Sequence, residues 1–217
     1  PAPVAFAPAG HPALPPLLRG VTVAVAQDAA LGFAYPANLE CLRALGARLA
    51  PFSLLEARTL PACDALWLPG GYPELHAAAL AANTGLLGAL HAHCATGKPV
   101  LAECGGMMLL FDTLTDAAGT AHRMAGVLPG TTRMQLRLAA IGGQMLRLPD
   151  GELRGHAFHY SRAETPLAPA LQACTADGRP GEAVYRHRRV TAGYVHAYFP
   201  SHPAAVAAWL HPDGACA

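Results

Sequence analysis

Short apolar runs alternate with amphipathic stretches over the first half of the chain. Four mostly apolar runs are typical of strands buried on both faces of a sheet: residues 21–26, 48–52, 65–68 and 99–103. Three stretches between them carry apolar positions at helical spacing: residues 38–45, 74–82 and 85–96. Strands that alternate with helices at this rhythm predict an α/β fold with a doubly wound, mostly parallel sheet.

The pattern changes on either side of this region. Beyond residue 112 the segments at 157–160 and 184–188 predict antiparallel edge strands, and residues 204–210 predict a last helix. Residues 1–20 are rich in proline and alanine, which favours a semi-extended interdomain linker. We therefore expect a linker stub at 1–20, cut from a longer polypeptide, and one domain at 21–217.

The composition narrows the class of protein. Of the 217 residues, 53% are hydrophobic and 13% are charged, so the chain can bury a large core and is not a disordered chain. The formal net charge of +1 leaves no basic excess for nucleic-acid phosphates, and no uninterrupted apolar run reaches the length of a membrane span. The low charge also suggests either weak solubility or a surface that is normally covered by something else.

Six cysteines are scattered along the chain without a Cys-x-x-Cys pair, and no signal peptide precedes them. In a chain of this size the pattern argues against a disulfide framework. It also argues against zinc, because the cysteines and histidines lack the paired spacing of structural zinc sites. We therefore expect no metal and a reducing, cytoplasmic location.

The strand at 99–103 runs directly into Cys104, and two glycines and a helix follow at once. This order is the context of a nucleophile elbow, in which the nucleophile adopts a strained backbone conformation. Gly105 and Gly106 provide the room that such a turn needs. The helix N-terminus favours the thiolate, and the Gly105 N–H points to where an oxyanion would form. Cys104 is therefore the predicted nucleophile.

A second glycine loop follows the strand at 65–68 and reads PGGYPE. The carboxyl ends of parallel strands meet at one edge of a sheet, so this loop can face Cys104. In that position Gly71 can donate a second backbone N–H to an oxyanion.

A thiol nucleophile also needs a base, and the chain offers eleven histidines. His196 ends the apolar segment AGYVH, whereas His156 and His159 lie together in GHAFHYSR. Spacing alone does not choose among these three histidines.

Five segments carry a resemblance to a known family. They are FAYPANLE at 33–40, LPGGYPEL at 68–75, AECGGM at 102–107, GHAFHYSR at 155–162 and GYVH at 193–196. The chain resembles the class I glutamine amidotransferase domain of cobyrinic acid a,c-diamide synthases of cobalamin biosynthesis, whose fold is flavodoxin-like. The turn at Cys104 would be shared by every class I amidotransferase. GGYPEL and HYSR favour the a,c-diamide synthase branch over the cobyric acid synthases.

The resemblance implies that the domain hydrolyses L-glutamine to glutamate and ammonia. Cys104 would be the nucleophile and His196 the general base, with Gly71 and Gly105 as the oxyanion hole. The His-x-Glu arrangement usual in class I amidotransferases is missing, because Tyr198 stands two residues after His196. The third triad member is therefore unassigned, and we expect a slow glutaminase when the domain is alone. His159 and Tyr198 are kept as supporting residues.

The resemblance also implies a partner domain. Ammonia would pass to an N-terminal ATP-dependent synthetase domain of the same polypeptide, which amidates the a and c side chains of cobyrinic or hydrogenobyrinic acid. No G-x-x-x-x-G-K-[ST] motif occurs in the chain. ATP and Mg²⁺ are therefore expected only in the synthetase domain, and no cofactor in this one.

Other assignments stay open from the residues alone. The domain could belong to a cobyric acid synthase or to another amidotransferase. A cysteine hydrolase on a similar fold would use the same turn to cleave peptides or esters. A non-catalytic interaction module would keep the fold and bind a partner with Cys104 dispensable.

Overall fold

The computed structural model describes residues 13–214. Of the predicted linker at 1–20, residues 1–12 lie outside this range. Within residues 13–20, Leu18 is fully buried and its N–H donates to the Leu45 carbonyl at 2.8 Å, whereas six of the other residues are exposed. The packed part of the chain therefore includes Leu18.

The described residues form five helices and fourteen strands. The helices are α1 (Pro36–Ala44), α2 (Ala77–Ala82), α3 (Thr84–Ala95), α4 (Gly105–Leu110) and α5 (Pro203–Leu210), with short 3-10 turns at Pro73–His76 and Phe199–Ser201. The strands are β1 (Thr22–Ala26), β2 (Arg48–Phe52), β3 (Ala65–Leu68), β4 (Val100–Glu103), β5 (Phe111–Thr115), β6 (Ala121–Arg123), β7 (Leu128–Met134), β8 (Ala140–Leu148), β9 (Gly151–His159), β10 (Ser161–Glu164), β11 (Pro169–Thr175), β12 (Pro180–His187), β13 (Val190–Gly193) and β14 (His196–Ala197). None of the helices in this part of the chain is long and apolar enough to cross a membrane.

Ten strands form one sheet, in the order β14-β9-β8-β11-β12-β13-β4-β3-β1-β2. From β13 to β2 every pair is parallel, and from β14 to β13 every pair is antiparallel. The predicted parallel strands are confirmed, and the bounds of β2 and β3 coincide with the prediction. The segments at 157–160 and 184–188, predicted as edge strands, belong largely to β9 and β12. Both strands lie inside the sheet, because the antiparallel half has more strands than predicted and β14 forms its edge.

The four inner parallel strands, β1, β3, β4 and β13, are buried along almost their whole length, as their apolar runs predict, whereas β2 lies at the edge of the sheet and buries only Phe52. In β3, Leu66 and Leu68 share one core cluster with side chains of α2, α3 and α4. Trp67, on the opposite face, shares a second cluster with side chains of α1 and α5. Helices on both faces give the doubly wound arrangement that the sequence predicts.

The carboxyl ends of three neighbouring strands meet at one edge of this sheet. Leu68 of β3 pairs with Ala102 of β4, and Glu103 pairs with Gly193 of β13. The glycine loop after β3, the turn at Cys104 and the segment that leads to β14 therefore emerge side by side. A separate sheet has four strands in the order β10-β7-β5-β6, and its strand β5 directly follows α4 in the sequence.

Candidate active site

Cys104 lies on a sharp turn between β4 and α4. Its φ of 47° and ψ of −106° form a conformation that residues other than glycine rarely adopt. The turn is fixed because the Cys104 N–H donates to the Gly193 carbonyl at 2.7 Å. Gly106 is required behind it, since a Cβ there would overlap the Leu68 carbonyl oxygen. The strained turn predicted from the sequence is therefore present.

Burial raises the pKa of the Cys104 thiol to about 12, although the Gly105 N–H acts in the opposite direction. The charges of Glu74, Glu103 and Glu182 raise this pKa further. The Gly105 N–H at the start of the helix lowers this pKa, in the direction expected of a helix N-terminus, but burial outweighs it. The buried sulfur loses more hydration than one N–H restores. The thiol therefore needs a base to remove its proton.

The glycine loop after β3 lies against the Cys104 turn. A Cβ on Gly105 would stand 3.0 Å from the backbone nitrogen of Gly71, so the two glycines are in contact. Gly71 is held from behind, because the next residue, Tyr72, donates its N–H to the Ala30 carbonyl at 2.8 Å. A Cβ on Gly71 would overlap that same oxygen. Gly71 and Cys104 line one pocket, and Gly105 directly follows Cys104, so the two predicted oxyanion donors belong to neighbouring turns.

His196 is buried at the start of β14. Its ring lies on Gly70, where a Cβ would overlap the ring Cε1, and Phe33 meets it edge-on with ring centroids 6.0 Å apart. Burial lowers the pKa of His196 to about 4, and the charges of His156 and His159 act in the same direction. His196 is therefore neutral at pH 7, which is the form that accepts a proton. The ring and the Cys104 turn border the same glycine loop, on its two successive glycines.

His156 is the cross-strand partner of His196 in the β9–β14 pair. The two rings are stacked, and the Nε2 of His156 lies 3.3 Å from the Tyr35 hydroxyl. Tyr35, His156, His196 and Tyr198 line one cleft. Tyr198 is about half exposed there, and it does not replace the missing acid, because the buried Nδ1 of His196 has no hydrogen-bond partner among the described residues.

His159 lies on a different wall of the site, since it lines the pocket that contains Cys104. Its ring stacks on Tyr194 with centroids 3.7 Å apart, and its Nδ1 lies 2.9 Å from the Ser161 carbonyl oxygen. Its Nε2 lies 3.3 Å from a carboxylate oxygen of Glu182. These contacts fix His159 as part of the pocket wall beside the thiol.

Two buried polar residues at the site were missed by the sequence reasoning. Glu103 accepts hydrogen bonds from the Trp67 indole at 3.1 Å and from the Ala197 N–H at 2.9 Å. Asn38 donates to the Ala197 carbonyl at 2.8 Å and accepts from the Phe199 N–H at 2.9 Å. The available signal for Glu103 was a carboxylate at the end of an otherwise apolar strand.

The remaining thiols and acids in the described part of the chain do not form a metal centre. Within residues 13–214, no group of three or more His, Cys, Asp or Glu side chains is arranged to hold a metal ion. The five cysteines described there are free thiols. Burial raises the pKa of Cys41 to about 11 and that of Cys94 to about 12, as expected of inert core thiols.

Comparison with known proteins finds one family model and several curated relatives that match most of this chain. A family model described as the CobB/CobQ-like glutamine amidotransferase domain matches residues 22–204. A hydrogenobyrinate a,c-diamide synthase of Stutzerimonas stutzeri (strain A1501) is 53% identical over 210 residues, which are 96% of this chain and 49% of that protein. A cobyrinate a,c-diamide synthase of Herminiimonas arsenicoxydans is 51% identical over 199 residues, or 91% of this chain and 45% of that protein. The chain thus spans about half the length of these curated relatives.

Solved structures share the fold. The crystal structure of a glutamine amidotransferase aligns with 90% of this chain and 100% of its own, with a TM-score of 0.61 and 20% sequence identity. A glutamine amidotransferase from Thermotoga maritima aligns with 81% of this chain and 75% of its own, with a TM-score of 0.53 and 16% identity. The predicted α/β fold of class I glutamine amidotransferases is therefore confirmed.

Proposed function

The chain belongs to the CobB/CobQ-like glutamine amidotransferase domain family, and from that membership we propose that it hydrolyses L-glutamine to glutamate and ammonia through a thioester on Cys104. The ammonia serves the a,c-amidation of cobyrinic or hydrogenobyrinic acid. That step takes place in an ATP-dependent synthetase domain of the same polypeptide, which binds the corrin, ATP and Mg²⁺. The glutaminase domain uses no cofactor and works in the cytoplasm.

The first half of the reaction forms the thioester. His196 takes the proton of the Cys104 thiol, and the sulfur attacks the carboxamide carbon of glutamine. The N–H groups of Gly71 and Gly105 bind the oxyanion of the tetrahedral intermediate. When the intermediate collapses, the C–N bond breaks, and His196 returns its proton to the departing nitrogen, which leaves as ammonia.

The second half releases glutamate. His196 takes a proton from a water molecule, and the oxygen of that water attacks the thioester carbon in the same oxyanion hole. The C–S bond then breaks, and the proton on His196 returns to the sulfur. Glutamine and water have become glutamate and ammonia, with the thiol and the neutral imidazole restored.

The backbone of Cys104 is the observation that supports this proposal most directly. A residue other than glycine in a sparsely populated region of φ/ψ space costs about 1–3 kcal/mol and persists where the surroundings enforce it. Cys94, in the regular helix α3, carries no such cost. The strained Cys104 turn lies against Gly71, and the His196 ring lies against Gly70 of the same glycine loop, which supports a thiol and an imidazole acting at one site.

Exposed apolar side chains around the site support the proposal that another domain covers this surface. Tyr72, Phe158 and Tyr160 line the Cys104 pocket and are partly exposed, and Leu75, three residues after Tyr72, is 74% exposed. Leu136 is 98% exposed in the loop between β7 and β8, directly after Gln135, whose N–H donates to the Tyr160 carbonyl at 2.6 Å. We propose that the synthetase domain covers this apolar rim, so that ammonia passes to it without entering bulk water.

The glutaminase step is tested by glutamate release from the purified domain. Cys104→Ala removes the activity, whereas Cys174→Ala, the same change at a thiol outside the site, leaves it intact. A diazo-ketone analogue of glutamine adds its mass to the peptide that contains Cys104. Equal glutamate release by both variants would contradict the proposal, as would hydrolysis of peptides or esters without hydrolysis of glutamine.

The amidation step needs the full-length protein that contains this domain. With glutamine labelled with ¹⁵N at its amide, ATP, Mg²⁺ and the corrin acid, two labelled nitrogens enter each corrin. Labelled ammonia released without transfer to the corrin leaves the glutaminase assignment intact and overturns the substrate assignment.

A further inference from the structure

The strand that begins with His196 is held in an unusual way. β14 has only two residues and forms an edge of the ten-stranded sheet. On its inner side it pairs with β9, and the Tyr198 N–H donates to the Arg154 carbonyl at 2.7 Å. On its outer side the described residues provide no strand. Ala197 is nevertheless buried, so its N–H and C=O need partners within the protein.

Two side chains provide those partners. A carboxylate oxygen of Glu103 accepts the Ala197 N–H at 2.9 Å, and the amide of Asn38 donates to the Ala197 carbonyl at 2.8 Å. Asn38 also accepts the Phe199 N–H at 2.9 Å. We refer to Glu103 and Asn38 together as the Ala197 clamp, which replaces the missing neighbouring strand.

Glu103 is a costly residue for this position. Burial removes water from the carboxylate and raises the pKa of Glu103 to about 7. The hydrogen bonds from the Ala197 N–H and from the Trp67 indole, one to each carboxylate oxygen, offset part of this cost. The other residues of β4 are apolar and pack without such a cost. The carboxylate is therefore explained by the groups that it holds in place.

The residue next to the clamped one is the base. No side chain among the described residues bonds the buried Nδ1 of His196, and Tyr198 stands where a His-x-Glu acid would be. The orientation of the His196 ring therefore depends on its backbone position and on packing against Phe33, Gly70 and His156. A shift of β14 would move the ring relative to Cys104.

We propose that Glu103 is a positioning residue for His196, acting with Asn38 through the backbone of Ala197. The inference rests on the proposed function, in which His196 is the general base. Glu103 directly precedes Cys104 in the sequence, so a single buried side chain ties the strand of the base to the turn of the nucleophile. A triad acid orients the catalytic imidazole by a hydrogen bond to its ring. Glu103 orients the His196 ring by anchoring the backbone next to it.

The test measures glutamine hydrolysis by two Glu103 variants of the domain and by matched variants at other residues. Glu103→Gln keeps the shape but offers one acceptor oxygen to two donors, and Glu103→Ala removes both acceptors. Because a misplacement of about 1 Å can cost about 100-fold, kcat falls about 10- to 100-fold in Glu103→Gln and further in Glu103→Ala. The KM for glutamine stays within about twofold, since binding does not use the clamp.

Asn83→Ala is the matched control. Asn83 is also buried, and its side chain donates to the carbonyls of Leu54 and Ala57 and accepts from the Leu86 N–H, so the variant loses three hydrogen bonds, none of them to β14 or to the Cys104 turn. Its melting temperature falls while its kcat does not, which separates positioning from general stability. A folded Glu103→Gln variant with wild-type kcat, or with a raised KM alone, overturns the inference.

A variant of Asn38, the other residue of the Ala197 clamp, keeps the test decisive if the Glu103 variants do not fold. Asn38→Asp retains the acceptor for Phe199 but places a carboxylate oxygen against the Ala197 carbonyl, so it disturbs the clamp from α1. It lowers kcat without raising KM, and an unchanged kcat overturns the inference. Cys104→Ala in the same assay distinguishes a failure of the proposed function from a failure of the positioning role. If it retains activity, the proposed function fails; if it is inactive while the clamp variants are normal, only the positioning role fails.

Discussion

The imidazole rings of His156 and His196 are stacked, with centroids 5.0 Å apart and an interplanar angle of 19°. Burial makes the largest contribution to the low pKa of His196, and the neighbouring charge of His156 adds to it, because two stacked imidazoles resist a second proton. The stack therefore preserves the neutral form of the candidate base at pH values where an exposed histidine would already be protonated.

Removing the charge of His156 shifts the pH dependence of glutamine hydrolysis. His156→Phe keeps an aromatic ring against His196 but removes a positive charge, so the pKa of His196 rises from about 4. The acid limb of kcat/KM against pH accordingly moves to higher pH. His91→Phe, the same change at an exposed histidine of α3, leaves the limb in place. An acid limb that stays fixed or moves to lower pH in His156→Phe would contradict the role of the stack.

The same low pKa links folding to pH. The unfolded chain takes up a proton near the ordinary histidine pKa of 6.5, whereas folded His196 does so only near 4. Its contribution to stability is therefore complete above pH 6.5 and is lost as the pH falls towards 4, by about 3 kcal/mol. His196→Asn lacks this loss. Urea unfolding of both proteins at pH 7 and pH 4.5 measures the difference, and equal pH dependence in the two proteins counts against it.

The pH dependence of the stability contribution of Glu103 has the opposite sign to that of His196. Its pKa rises from 4.5 to about 7 because burial disfavours the carboxylate, so the folded protein keeps the proton longer than the unfolded chain as the pH rises. Its contribution to stability is complete below pH 4.5 and is lost as the pH rises through 7, again by about 3 kcal/mol. Glu103→Gln removes this loss, so its stability between pH 4.5 and 6.5 rises with pH more steeply than that of the wild type. A Glu103→Gln stability curve parallel to the wild-type curve in urea titrations would refute this linkage.

The parallel half of the sheet and the Cys104 turn could be predicted from the sequence because their signals are local. Strands buried on both faces are unbroken apolar runs, and the glycines that end them stand within a few residues. The antiparallel half could not be predicted in full. β8, for example, mixes buried and exposed positions and contains Gly142 and Gly143, so its pattern is weak.

The residues around His196 depend on contacts between distant parts of the chain. Glu103 and Ala197 are 94 positions apart, and Asn38 and Phe199 are 161 positions apart. No spacing rule connects such pairs. The choice among His156, His159 and His196 depends in the same way on the pairing of β9 with β14, which the sequence pattern leaves undetermined.

The apolar rim around the site gives a prediction for the full-length protein. Leu136→Asp places a charge on the surface that the synthetase domain is proposed to cover, and it leaves glutamine hydrolysis by the isolated domain unchanged. In the full-length protein it lowers the ratio of amide formed to glutamine consumed, because ammonia escapes to solvent. Leu17→Asp, at an exposed leucine near the start of the described chain, is the control. The same ratio in both variants would show that the rim is not the domain contact.

Gly71 provides the most direct test of the oxyanion loop. A Cβ on Gly71 would lie 2.5 Å from the Leu31 Cα and would overlap the Ala30 carbonyl oxygen, both of which are backbone atoms that cannot rotate away. Gly71→Ala therefore displaces the loop from Cys104, and the loss of one oxyanion donor lowers kcat about 100-fold or more. Overpacking also lowers the free energy of unfolding, by about 1–3 kcal/mol.

Gly88→Ala is the matched control for that variant, since a Cβ there meets nothing within 4 Å and the residue lies inside α3. It raises the free energy of unfolding by about 0.5–1 kcal/mol through helix propensity and leaves kcat unchanged. Instability alone can inactivate an overpacked variant, so the kcat of Gly71→Ala is measured at a temperature where far-UV circular dichroism shows it fully folded. A folded Gly71→Ala protein with wild-type kcat would remove Gly71 from the oxyanion hole and leave Gly105 as the single backbone donor beside Cys104.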